Sequence, residues 1–173
     1  ILLFVDPYNI QKLTGTLQAA SKEEVLAGGL QENDNVLNSL LQKVDVRQSE
    51  NKPFAIVFSK IDEVLEGLAK EGAEELQNNI DLSKNSSFLK TKKLSLSEIE
   101  QISGSLEEIS HDWDVGDMKA RIREKYKEEN IKMFAVSSLG CKPVEGMIPN
   151  LNPYRVMDPL IWILHKMGGF DIP

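Results

Sequence analysis

Three stretches of the chain are apolar almost without interruption and then turn polar: Ile1 to Asp6 (ILLFVD), Pro53 to Ser59 (PFAIVFS) and Lys132 to Ser138 (KMFAVSS). A strand with one wet face alternates apolar and polar residues. Short runs without alternation fit strands covered on both faces, the rule in parallel sheets. Three parallel strands are therefore expected. Between them the period changes to that of a helix. Val36, Leu37, Leu40, Leu41 and Val44 form one stripe, and Val64, Leu65, Leu68, Ala69, Gly72 and Leu76 form another. Each suits a crossover between parallel neighbours, and such connections are right-handed almost without exception. A last helix spans Val156 to Lys166 and stops at Gly168 and Gly169.

The second crossover is too long for one helix. After Asn78 and Asn79 comes a polar stretch, DLSKNSSFLKTKK, whose Lys84, Lys90, Lys92 and Lys93 read as a solvated loop. Ser97 and Glu100 then have the spacing of a capping box and open a stripe of Ile99, Ile102, Leu106 and Ile109. Trp113, Met118, Ile122 and Tyr126 recur at near-helical spacing. The expected architecture is α/β: a three-layer α/β/α domain over residues 1–173 with a short parallel sheet of three strands. A helical insertion at about 80–130 packs on the flank before the last strand. Pro53–Ser59 takes the centre, with Ile1–Asp6 and Lys132–Ser138 on either side. No internal repeat and no Pro-, Gly- or Ser-rich linker divides the chain.

Composition narrows the partners. The 173 residues carry a net charge of −7, which disfavours nucleic acid. The longest apolar run, Pro159 to Leu164, is far short of the ~20 residues that cross a bilayer, so no membrane span is expected. One cysteine, Cys141, cannot form an internal disulfide, and with two histidines it makes a poor set of soft metal ligands. A reducing, cytoplasmic setting fits. Cys141 itself suits a small buried filler, and Trp113 and Trp162 suit core positions. The chain opens directly on an apolar strand with no methionine, so a piece of something longer is expected.

Candidate chemistry gathers at two strand ends. Ligands of open parallel sheets bind at the carboxyl ends of the strands, which places Lys60 and Asp62 beside Ser137, Ser138, Leu139 and Gly140. A carboxylate that accepts from the N–H groups of guanine, a lysine stem over the purine and a backbone N–H donating to the guanine oxygen make a complete base-recognition site. Adenine offers neither that donor pattern nor that oxygen. The plainer alternative is that Asp62 caps the following helix. Asp6 similarly reads as a turn or helix cap before Pro7, with a Walker-type magnesium aspartate as the other possibility.

The pair SKID (Ser59 to Asp62) and SSLG (Ser137 to Gly140) resembles the NKxD or TKxD and SAxG motifs of P-loop GTPases. ILLFVD is similar to the strand that follows the switch segment of that family. The long insertion and the tail NPYRVMDPLIWILHKMG are similar to bacterial double-GTPase-like members. The resemblance implies the C-terminal half of a GTPase domain, with Ser59, Lys60, Asp62, Ser137, Ser138 and Leu139 as guanine-binding residues and GTP or GDP as ligand. Ser59 stands where the family has Asn or Thr. Neither GxxxxGK[ST] nor DxxG occurs, so Mg²⁺ and hydrolysis belong to an upstream phosphate-binding half, and this chain alone is expected to be inactive. Two other readings stay open: a degenerate GTPase-like protein-interaction module, and a flavodoxin-like α/β domain with another ligand. Expected partners are a guanine nucleotide, another protein or the upstream half, and a second copy through the uncharged Ile1–Asp6 edge.

Overall fold

The structure, a computed structural model, describes residues 1–7, 30–43, 49–69, 80, 86, 88, 91, 93–112, 116–141, 143–144 and 146–169. Strands β1 (Leu2–Val5), β2 (Phe54–Phe58) and β3 (Ile131–Ala135) form one open sheet in the order β1-β2-β3. Both pairings are parallel: Leu2 lies opposite Ala55, and Phe54 opposite Ile131. The helices are α1 (Leu30–Lys43), α2 (Ile61–Ala69), α3 (Leu96–Asp112), α4 (Gly116–Arg123) and α5 (Asp158–Lys166). The open three-stranded α/β sheet and its central β2 follow the sequence reading.

Alternation along the pleat sends one set of side chains to each face. On the first, Leu3, Val5, Phe54, Ile56 and Met133 meet Leu37 of α1, Ile61, Val64 and Leu65 of α2, and Met118 and Ile122 of α4. On the second, Ala55, Val57 and Phe134 meet Ile161 and Trp162 of α5, with the Trp162 ring 5.6 Å from that of Phe134. Both crossover helices lie on the first face, as connections of one hand require when strands are added in one direction. The chain then returns as α5 over the second face. Its end is closed by Gly168, whose φ of 77° and N–H donation to the His165 carbonyl make a left-handed terminator.

Three local expectations are corrected. The unbroken apolar run of β1 is buried on one side only, since Leu2 and Phe4 are 37% and 60% exposed. α5 packs on β2, and β1 lies beyond its cover on that face. Val36 is exposed, while Leu37, Leu40 and Leu41 of α1 face the core. The cap of α3 is Ser95, whose hydroxyl accepts from the Glu98 N–H at 3.2 Å. Glu100, expected to close a capping box with Ser97, instead pairs with Lys132 of β3 at 2.5 Å. Of the other expected helical positions, Val44, Gly72, Leu76, Trp113, Lys84, Lys90 and Lys92, with the side chains of Leu68, Ala69 and Ile109, lie outside the described residues.

The insertion has a defined job. α3 runs along the outer edge of β3, where the Met133 N–H points away from the sheet and donates to the Ser103 hydroxyl at 3.1 Å in a buried contact. Ile99 and Leu106 pack on either side of this bond, one into each core cluster. The helix therefore seals an edge that would otherwise leave its backbone groups unanswered.

Ser103→Ala should leave the buried Met133 N–H without an acceptor and cost about 1–3 kcal/mol of unfolding free energy. Phe4→Ala, on the open side of β1, should cost about 0.5 kcal/mol or less. Urea denaturation of the two variants checks the contrast, and equal losses would contradict the edge-sealing role.

Candidate functional site

The carboxyl ends of β1 and β2 are joined at Ser59. Its N–H and its hydroxyl both donate to the Val5 carbonyl, at 3.1 and 3.2 Å. The next residue, Lys60, has a φ of 52°, a left-handed conformation that side chains other than glycine seldom adopt. That turn lets the Lys60 carbonyl accept from the Glu63 and Val64 N–H groups and so begin α2, while the Ile61 N–H donates to the Val136 carbonyl at 3.2 Å. The SKID segment is thus tied to β1 on one side and to the end of β3 on the other.

Two side chains follow from this shape. Lys60 Nζ lies 3.0 Å from Asp6 Oδ2, an ion pair on the surface. Asp6 therefore does more than the turn-capping expected of it: it holds the lysine. Asp62 is the second residue of α2, inside the helix rather than ahead of it, so it is not the cap that the plainer sequence reading supposed. Its Oδ1 is shielded from solvent and receives no hydrogen bond among the described residues.

At the end of β3, Ser137 is buried and forms a two-bond bridge with Tyr154: the Ser137 N–H donates to the Tyr154 carbonyl at 3.1 Å, and the Tyr154 N–H returns the bond at 2.8 Å. The Ser137 hydroxyl accepts from the Gly140 N–H at 2.8 Å. Ser137 therefore shapes the loop from within. Ser138 is exposed and Leu139 half-buried, and among the described residues neither backbone N–H finds an acceptor. Gly140 has a φ of 72°, and a Cβ there would sit 1.8 Å from the Asn152 carbonyl oxygen, so only glycine fits. Cys141 is half-buried, and its thiol donates to the Asn150 carbonyl. All six sequence-predicted residues thus lie at neighbouring strand ends: Ser59 and Ser137 are spent on holding the backbone, Lys60 pairs with Asp6, Asp62 Oδ1 is shielded, and Ser138 and Leu139 lie in the loop that Ser137 shapes.

The opposite end of the sheet has a cavity of about 440 Å³ lined by Glu50, Tyr126, Lys127 and residues 123–125 and 128. Its charges answer one another. Arg123 grips Glu128 with both nitrogens, Lys119 sits between Glu107 and Glu128, Lys125 reaches the Leu41 carbonyl and Lys127 meets Asn51. The Tyr126 hydroxyl is buried without a partner among the described residues, and burial pushes its pKa up, but its ring belongs to the core, edge-on to Phe54 at 4.9 Å. With its cations already paired, this end is suited to holding loops together rather than to binding a charged ligand. Volume alone would have favoured it; the supply of unpaired groups favours the carboxyl end.

Among the described residues no helix is long and apolar enough to cross a membrane, and no group of three or more His, Cys, Asp or Glu residues is placed to hold a metal ion. No known family, curated protein or solved structure matches the chain.

The Arg123 guanidinium, with Lys119 behind it, holds the Glu128 carboxyl down at about 2, well below its ordinary 4.5. A depressed carboxylate pKa contributes stability above the unfolded value and loses it as the pH falls through the folded one. Because Glu128 is half-exposed, screening limits the contribution to about 1 kcal/mol. Glu128→Gln should therefore lower unfolding free energy by about that much at pH 7. The gap should close between pH 4.5 and about 2 in parallel urea titrations; a gap that is constant with pH would contradict the assignment.

Proposed function

We propose that the carboxyl edge of the sheet recognises the base of a guanine nucleotide, GTP or GDP, and that the chain is the base-recognising half of a GTPase-like protein, as the SKID and SSLG motifs imply. The observation that supports this most strongly is the pairing of an unanswered acceptor with unanswered donors. Among the described residues, Asp62 Oδ1 receives no hydrogen bond and the Ser138 and Leu139 N–H groups meet no acceptor. Guanine presents the complement on one edge of the ring: two neighbouring N–H donors, at N1 and the exocyclic amine, and the O6 acceptor. Adenine has no oxygen there and no N1 proton.

Lys60 fits the remaining requirement. Its pair with Asp6 joins two side chains that are 45% and 38% exposed, and such pairs are worth about 0–1 kcal/mol. Swinging the aliphatic stem over a purine face therefore costs little, and Ser59 keeps the backbone beneath it fixed to β1. These contacts are made alike in the ground and transition states, so they contribute affinity without lowering a barrier. Phosphate positioning and Mg²⁺ belong to segments carrying the missing motifs. The lone cysteine is consistent with a reducing, cytoplasmic setting.

In the full-length protein, Asp62→Asn should weaken guanine nucleotide binding tenfold or more, the scale of a lost charged hydrogen bond of about 1.5–3 kcal/mol. Xanthine nucleotides should gain in the same variant, because the amide donates where the carboxylate accepted. Fluorescence titration with the two diphosphates checks this, and unchanged affinities would sink the role of Asp62. Residues 1–173 alone should show no GTP hydrolysis above the buffer rate in a single-turnover assay with Mg²⁺. Turnover there would mean that the phosphate chemistry has been assigned to the wrong part of the protein.

A further inference from the structure

Arg155 is unusual twice over. It has a φ of 48°, in the left-handed region where a long side chain is disfavoured, and it is only 7% exposed although it carries a full charge. Positions of this kind persist only where surrounding contacts over-determine them. Here the contacts are two carboxylates. Arg155 Nε lies 2.9 Å from Asp158 Oδ2 at the start of α5, and a terminal nitrogen lies 2.9 Å from Glu98 Oε2 in the first turn of α3. Asp158 is itself 2% exposed, and its burial pushes the carboxyl above the usual range against the pull of Ser86 and Arg155.

The segment just before Arg155 clasps the SSLG loop. Tyr154 exchanges two backbone hydrogen bonds with Ser137, the Asn152 N–H donates to the Leu139 carbonyl at 2.9 Å, and Asn152 is the residue against which Gly140 is packed. Among the described residues, the backbone hydrogen bonds that leave the Ser137–Gly140 loop go to this segment. The buried Tyr154 ring seats the clasp in the core, and the guanidinium ties it to two helices.

We infer that Arg155 is a positioning residue for the Ser137–Gly140 loop: by tying residues 152–155 to Glu98 and Asp158, it holds the Ser138 and Leu139 N–H groups in the place from which they can meet a ligand oxygen. That the oxygen is guanine O6 rests on the base-recognition reading above. The helical insertion thereby gains a part in ligand selection, because Glu98 belongs to α3.

The test separates the two ideas by using three nucleotides and one ligand-free measurement. In the full-length protein, GDP is compared with the 2-aminopurine diphosphate, which lacks O6 and with it the N1 proton, and with the hypoxanthine diphosphate, which keeps both and lacks the exocyclic amine facing Asp62. The Asp62 share of the first preference is common to wild type and variants, so its change on substitution reports the loop. Arg155→Met and Glu98→Gln should each lower the preference for GDP over 2-aminopurine about threefold to tenfold, the scale of one neutral hydrogen bond, while the preference over hypoxanthine changes less than about twofold. Amide hydrogen exchange without nucleotide should show lost protection at Gly140, Asn152 and Tyr154 and retained protection at Ser59 and Val136. Glu98→Gln leaves the Arg155–Asp158 pair in place and carries the test if Arg155→Met does not fold. Retained protection at the clasp, or lost protection with both preferences unchanged, overturns the positioning role. A wild type that binds all three nucleotides equally overturns the base reading itself and the ligand assigned to the loop, whatever the variants do.

Discussion

The hydrogen bond from the Met133 N–H to the Ser103 hydroxyl sets where everything at the β3 side of the molecule can be. A three-stranded sheet has two edges, and a buried edge N–H must be answered by something other than a strand. Here a serine in the middle of a long helix answers it, and with Lys132 paired to Glu100 one turn away, α3 is held in register along β3. Once α3 is in register its first turn lies at the carboxyl end of the sheet. That brings Glu98 to Arg155, and Arg155 fixes the segment that clasps the SSLG loop. An insertion that looks like an ornament on the crossover is thus continuous, contact by contact, with the candidate site.

The two ends of the sheet resolve the same problem in opposite ways. At the amino end, Glu128 is held by Arg123 and Lys119, and the loops before β2 and β3 are stitched by Ser49 to the Lys125 carbonyl and by Asn130 to the Glu50 carbonyl. Charged groups there pair across the loops, although the Tyr126 hydroxyl is buried without a partner among the described residues. At the carboxyl end the backbone is equally well tied, by Ser59, Ile61 and the Ser137–Tyr154 bridge, yet an acceptor and two donors are left over. Leaving a shielded carboxylate oxygen without a donor costs on the order of 1–3 kcal/mol.

Much of this was legible in the sequence, and the reason is physical. The strands declared themselves because two-sided burial removes alternation, and that signal depends only on neighbours along the chain. Lys60, Asp62 and the SSLG segment could be placed together because parallel topology sends successive carboxyl ends to the same edge. What escaped depends on distant partners. Asp6 and Lys60 are 54 residues apart, and nothing local distinguishes an aspartate that caps a turn from one that holds a lysine. Ser103 lies 30 residues from the N–H it serves and interrupts an otherwise apolar stripe; a polar residue on the buried side of a helix was the available clue. Arg155 gave none, because its left-handed backbone and its burial are both consequences of packing.

Lys60 has the same backbone peculiarity as Arg155 and a different explanation. A left-handed residue other than glycine costs on the order of 1–3 kcal/mol, and asparagine or glycine would relieve most of it. The surface pair with Asp6 offsets about 0–1 kcal/mol of that cost. The backbone contacts do not require a lysine, since the bonds accepted by the Lys60 carbonyl, the Ile61 N–H donation to Val136 and the Ser59 tie to Val5 are all indifferent to the side chain at residue 60. For Arg155 the buried Asp158 carboxylate and the part-exposed Glu98 supply the reason for the side chain. For Lys60 the fold supplies a turn that favours glycine and fills it with a long cation that reaches Asp6 across the carboxyl edge of the sheet. The direction of inference from such an outlier is toward function. A left-handed lysine beside a carboxylate oxygen that receives no hydrogen bond among the described residues is an outlier of that kind, and it is from this pair that the base-recognition proposal is argued.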